Sequence, residues 1–124
     1  MGERYGRDGQ PGGANLASII ALLDQGRPVV ILTMLSRSFF MPTDDGIVDP
    51  ANDEQPEPSQ RHAVIAVGHG QVDGATAILV RNSWGAGWGM DGHAWLTERF
   101  LAPRLFATAN LMEAVDVSSS TLAA

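Results

Sequence analysis

The chain has 124 residues, 44% hydrophobic and 18% charged, the balance of one soluble globular domain. Its net charge is −6, and its eight cationic side chains are all arginines scattered singly, so no basic face for nucleic acid or an anionic membrane can be assembled. There is no cysteine, which removes disulfides, thiolate metal sites and a cysteine nucleophile from this chain.

Residues 1–13 are polar and Gly-rich and are expected to form a flexible lead-in. They hold no apolar core of a secretory signal, so a cytoplasmic location is the default expectation. From residue 14 the pattern changes. Asn15 is placed to cap a helix over LASIIALLDQ, where Leu16, Ile19, Ile20 and Leu23 recur at helical spacing, and Gly26 sits at a C-cap position. Pro28 opens VVILTML, a β-branched run that reads as a strand buried on both faces and is far too short to span a membrane.

Residues 36–60 read as one long connection. Phe39 and Phe40 are expected to pack inward. The acidic, Pro-rich part, 44–57, is expected to be a solvated loop, with covering a cleft as its alternative role. HAVIAV (62–67) and AILVR (77–81) read as two strands of a hairpin around the Gly-rich GHGQVDGA. HAWLT (93–97) is a short strand, ERFLA a helical turn stopped by Pro103, and residues 105–117 a last strand before the tail 118–124.

RNSWGAGWGMDGH, residues 81–93, packs two of the three tryptophans and four glycines into thirteen positions. Such a run suits a backbone that turns sharply while its indoles cover something. Taking the hairpin turn as Gly70 to Gly74, His69 pairs with Ala75, and the same register carries His62 opposite Asn82, with Cβ atoms roughly 5 Å apart. A tighter turn at Asp73-Gly74 would break that pairing, and a slip of one residue would put the two on opposite faces. A neutral histidine acting as a base needs one nitrogen free and the other held, and a carboxamide oxygen holds it without adding charge. Trp84 is placed to shield that bond from water. The plainer alternative makes His62 an ordinary strand-end histidine and Asn82 a turn residue. His69 borders a turn and His93 starts a strand. A three-histidine metal site has no supporting carboxylate or helical spacing, so neither metal nor cofactor is expected.

HAVIAVGHG (62–70) followed by ILVRNSWGAGWGMDGHAWL (78–96) resembles the C-terminal half of papain-like cysteine peptidases. The family pattern there is a His leading an apolar strand into Val-Gly-Tyr-Gly, then Asn-Ser-Trp-Gly-x-x-Trp-Gly-x-x-Gly-Tyr. NLASIIALLDQGRPVVILTML and ATANLM resemble the flanking segments of bacterial members, so the resemblance runs from about Asn15 to Met112. It implies an α+β domain, an antiparallel barrel-like sheet with one N-terminal helix, occupying residues 14–117. It further implies that His62 is the catalytic base and acid and that Asn82 orients it. On the same ground Trp84 covers the pair and flanks the substrate cleft, Arg61 rims the cleft, and Trp88 is structural.

The sequence departs from the family at three places. The Cys nucleophile and the oxyanion Gln are missing, and His69 and His93 stand where the family has Tyr. None of Ser36, Ser38, Ser59 and Ser83 is placed as a substitute nucleophile, and Ser83 is expected to point away from His62. The resemblance therefore implies half of a peptidase, inactive alone. Its nucleophile would come from a second chain or an upstream domain, and its substrate would be a peptide. The alternative is a non-catalytic interaction or regulatory domain, self-associating through the vacant face around Trp84.

Overall fold

The computed structural model describes residues 15–110; the expected lead-in, the end of the last strand and the tail lie outside them. Helix α1 spans Leu16–Asp24, and the Oδ1 of its N-cap Asn15 accepts from the Ser18 amide at 2.9 Å. The chain leaves the helix through Gly26 at φ 76°, with the Gly26 and Arg27 amides returning to the Leu23 and Leu22 carbonyls. Ile19 is fully buried, and Leu16, Ile20 and Leu23 pack beside it.

The strands are β1 (Val29–Leu35), β2 (Ile47–Val48), β3 (Glu57–Val72), β4 (Ala75–Arg81), β5 (His93–Thr97) and β6 (Leu105–Asn110). Two four-residue helices, α2 (Arg37–Phe40) and α3 (Glu98–Leu101), lie between them. All six strands form one sheet in the order β2-β5-β4-β3-β1-β6. It is antiparallel except for β2 beside β5, and it stays open, with β2 and β6 as its edges. The expected α+β architecture with one N-terminal helix stands.

Three expectations need correction. Strand β1 alternates: Val29, Ile31, Thr33 and Leu35 are buried, while Val30, Leu32 and Met34 are only half-buried, because the sheet packs its core on one face. Strand β3 starts at Glu57 rather than His62, since Glu57 and Arg61 already pair with Leu35 and Met34 of β1 across a shift in register. The acidic stretch is not simply a solvated loop. Ile47 and Val48 pair with Trp95 and Leu96, and Val48 is fully buried.

That stretch is tied down by a buried carboxylate. Glu54 accepts hydrogen bonds from the Ser36 hydroxyl, from the Ser38 amide (3.0 Å) and hydroxyl (2.7 Å), and from the Ala51 amide (3.2 Å). Burial opposes its ionisation, but these donors outweigh it and hold the carboxyl at about 2. Arg104, 1% exposed, donates to the Ser36 hydroxyl at 3.0 Å and to the Phe100 carbonyl at 2.8 Å. Burial pulls its pKa down, and the Glu54 charge partly offsets that. The network holds α2 at its N-terminal end, through Ser36 and Ser38, and so helps fix where Phe39 and Phe40 stand.

Candidate functional site

The β3–β4 turn is the tight one. Asp73 and Gly74 both take positive φ, 51° and 82°, between Val72 and Ala75, the two-residue form that suits a twisted hairpin. The assumed register with His69 beside Ala75 is therefore wrong: His69 pairs with Ile78, and Gly68 with Leu79. Continued unchanged, that register would set Asn82 opposite Ile65, on the face away from His62. Instead the ladder shifts at Val67, after which Ala66 pairs with Val80 and Ile65 with Arg81. The extra residue is a β-bulge, and it reverses the parity. Asn82 now falls opposite Val64, one pleat along from His62 and on the same face.

The two side chains meet diagonally. His62 Nε2 lies 2.7 Å from Asn82 Oδ1, which also accepts from the Ser83 amide at 2.8 Å. A carboxamide oxygen only accepts, so Nε2 carries the proton and Nδ1 is left as the basic nitrogen of the neutral ring. Asn82 is 6% exposed, and its Nδ2 is buried with no hydrogen-bond partner among the described residues.

Aromatic rings box in the histidine. Trp84 stacks on His62 with centroids 4.7 Å apart and 29° between planes, and Phe39 meets the ring edge-on at 5.9 Å. Phe40 stacks on the outer side of Trp84 at 5.4 Å, and both remain substantially exposed. Of the two phenylalanines expected to pack inward, Phe39 does and Phe40, 47% exposed, does not; neither is expected at the site from the sequence. Adjacent phenylalanines in a long connection were the available signal, but their position depends on Glu54, which sequence alone does not place.

The tryptophan loop closes on itself. The Asn82 amide donates to the Gly92 carbonyl at 2.9 Å, and Gly92 returns to Trp88 at 2.9 Å. Trp88 is buried, and its Nε1 donates to the Phe39 carbonyl at 2.8 Å, which joins this loop to α2. Gly89, at φ 60°, lies so close to the next strand that a Cβ there would stand 2.2 Å from the His93 carbonyl oxygen.

The sequence of the chain matches the family model for papain family cysteine proteases over residues 6–102. The chain belongs to the papain family of cysteine proteases. A cysteine protease of Blomia tropicalis is 35% identical over 80 residues, 63% of this chain and 23% of that protein. The P34 probable thiol protease of Glycine max is 35% identical over 80 residues, 64% and 20% of the two chains. Among solved structures, the cysteine protease xylellain from Xylella fastidiosa superposes with a TM-score of 0.58 at 24% identity, covering 79% of this chain and 35% of that one. This chain thus spans about a fifth to a quarter of those curated relatives.

Of the four site residues expected from this papain-family pattern, His62, Asn82 and Trp84 come together. Arg61 does not join them. Its guanidinium lies over the Phe106 ring at 5.0 Å, and its Nε donates to the Pro58 carbonyl at 3.1 Å. Alternation along β3 aims it away from its neighbour His62. His69 is occupied elsewhere, 2.7 Å from Asp24 Oδ1 on α1, and His93 Nδ1 bonds to the Asp91 carbonyl at 2.9 Å. No group of three metal-ligating side chains occurs among the described residues. No helix among them is long and apolar enough to cross a membrane. The hydroxyls of Ser36 and Ser38 are both engaged by Glu54.

Proposed function

We propose that this chain is the histidine-bearing half of a papain-like cysteine protease active site. The observation that carries the reading is the 2.7 Å contact of His62 Nε2 with Asn82 Oδ1 beneath the stacked Trp84 indole, with Nδ1 left as a base. The chain contains no cysteine, so the nucleophile and the oxyanion donor belong to another chain or another segment.

The chemistry follows from that division. His62 Nδ1 takes the thiol proton, and the thiolate attacks the peptide carbonyl carbon. The amine leaves with the proton returned by His62, and a thioester remains. His62 then deprotonates a water that attacks the thioester, giving a carboxylic acid and the free thiol. Asn82 holds the ring's orientation through both steps, and Trp84 keeps water from the bond between them. Arg61 would contribute at the rim only by leaving Phe106.

The reading is tested by activity and by thiol labelling. The purified chain should not turn over a fluorogenic peptide library. Turnover by the chain alone, with contaminants excluded by mass spectrometry, would refute the need for a partner. In its native host, the assembled form should carry one cysteine hyper-reactive to an iodoacetamide probe, and His62→Ala should abolish that reactivity while the assembly persists.

A second reading is favoured by the exposed rings. Phe40, Met41 and Trp84 are 47%, 66% and 41% exposed, an apolar face suited to a non-catalytic interaction domain that binds itself. Light scattering separates the two, since a stable dimer whose formation is lost in Trp84→Ser and kept in His62→Ala belongs to the second.

A further inference from the structure

We propose that the backbone N–H of Ser83 is a positioning group that selects the tautomer of His62, acting through Asn82. An asparagine amide has a near-symmetric outline, and its two orientations impose opposite protonation on a histidine facing it. With Oδ1 toward His62 the ring must carry its proton on Nε2. With Nδ2 there, Nε2 must accept and the proton moves to Nδ1, which disarms Nδ1 as a base.

The surroundings of Asn82 differ at one group only. The position taken by Nδ2 is buried and unpartnered, and an oxygen turned into it would be equally unpartnered. The His62 ring can bond to either end of the amide, provided it changes tautomer. The Ser83 N–H cannot: it is a donor, 2.8 Å from Oδ1, and a flip would set it against the NH2 group. One orientation has two hydrogen bonds and the other has one. The ring itself is held between Trp84 and the Phe39 edge, so it does not turn to compensate.

The local backbone serves this arrangement. Asn82 follows directly on β4, and its own amide is used by Gly92, so its side chain is free to bond back to the next residue's N–H. The hydroxyl of Ser83 plays no part. Any residue with an N–H at position 83 would serve, and proline would not.

The consequence for catalysis rests on reading His62 as the base, but the tautomer does not, and it is measured on this chain alone. The imidazole nitrogens of a 15N-labelled chain are recorded at a pH where His62 is neutral. The wild type should show a protonated Nε2 and a bare Nδ1, and Nδ1–H in the wild type would overturn the inference. Ser83→Pro should move the tautomer ratio roughly tenfold toward Nδ1–H, the equivalent of one neutral hydrogen bond. Ser83 is not among the positive-φ residues, which would exclude proline outright. Ser83→Ala keeps the N–H and should change nothing. The double variant N82D/S83P should restore Nε2–H, because a carboxylate offers oxygen at both ends. An unchanged ratio in Ser83→Pro, an equal shift in Ser83→Ala, or no restoration in the double variant would each sink the proposal. If Ser83→Pro fails to fold, the wild-type tautomer and a scalar coupling from the Ser83 amide nitrogen to the Asn82 side-chain carbonyl decide, and an absent coupling counts against it. A chain with the expected tautomer but no reactive thiol in any assembly would refute the catalytic reading and leave this one intact.

Discussion

Replacing Glu54 by glutamine should cost stability at neutral pH and almost nothing in strong acid. Glu54 is 6% exposed at its side chain and accepts four hydrogen bonds, with the buried Arg104 guanidinium 4.0 Å away. Its carboxyl falls from an ordinary 4.5 to about 2 on folding. At 1.36 kcal/mol per pH unit that difference amounts to about 3 kcal/mol. The folded value is the lower one, so the contribution is complete above pH 4.5 and is lost as pH falls from there toward 2. Glutamine has no such titration, keeps one acceptor oxygen and sets an NH2 group among donors. Urea unfolding of both proteins at steps from pH 7 to pH 2 should therefore give a stability gap of about 3 kcal/mol that closes across the lower part of that range. Other carboxylates titrate in both proteins and cancel in the difference, except Asp49: its burial is outweighed by the Arg99 and Thr97 bonds, the Glu54 charge works against those bonds, and removing that charge lets Asp49 fall slightly further. A gap of the same size at pH 7 and pH 2, or no gap at pH 7, would refute the account of this network as an ionised anchor.

Two glycine substitutions should separate strain from collision. Gly74→Ala meets nothing within 4 Å and has only its φ of 82° to bear, so about 1 kcal/mol should be lost in thermal unfolding. Gly89→Ala adds a 2.2 Å contact with backbone and should lose more than about 4 kcal/mol or fail to fold. Trp88→Phe strips the donor from the buried Phe39 carbonyl and should cost about 1–3 kcal/mol by chemical denaturation. Arg99→Ala removes a bidentate but half-exposed pair with Asp49, and the loss in thermal unfolding should be small and shrink further in high salt.

What the sequence made legible was the material with local causes. Asn15 and Gly26 bound α1 because caps are made by the residues next to them. The tryptophan loop was legible because its glycines and its family spacing sit in one short run. What escaped depends on partners far apart in the chain. Nothing near Glu54 announces that it will meet Ser36 and Ser38. Arg104, an arginine beside a proline on an otherwise ordinary turn, becomes the largest fully buried side chain among the described residues, held by Ser36 at the start of α2 and by the Phe100 carbonyl of α3. The acidic stretch looked solvated because its composition is. One of its carboxylates in fact organises the wall of the site.

The His62–Asn82 contact was expected from a register that does not occur, and the reason it forms nonetheless lies in parity. A strand side chain keeps its face under any shift of an even number of residues and loses it under an odd one. The assumed five-residue turn set Asn82 opposite His62. The actual turn at Asp73-Gly74 moves the pairing by three, which alone would turn Asn82 to the other face. The bulge at Val67 takes back one, leaving a shift of two, and the contact survives as a diagonal instead of a direct pair. The side chain of Val67 points out to solvent, 41% exposed, and touches neither residue. Deleting it would take out the unpaired residue and leave the ladder on either side as it is, Gly68 opposite Leu79 and Ala66 opposite Val80, so the 2.7 Å contact should persist in a regular hairpin. The His62 imidazole should then keep its proton on Nε2. A deletion variant that folds but shows a His62 ring with no fixed partner would refute the account in which the strand pairing alone brings the two side chains together.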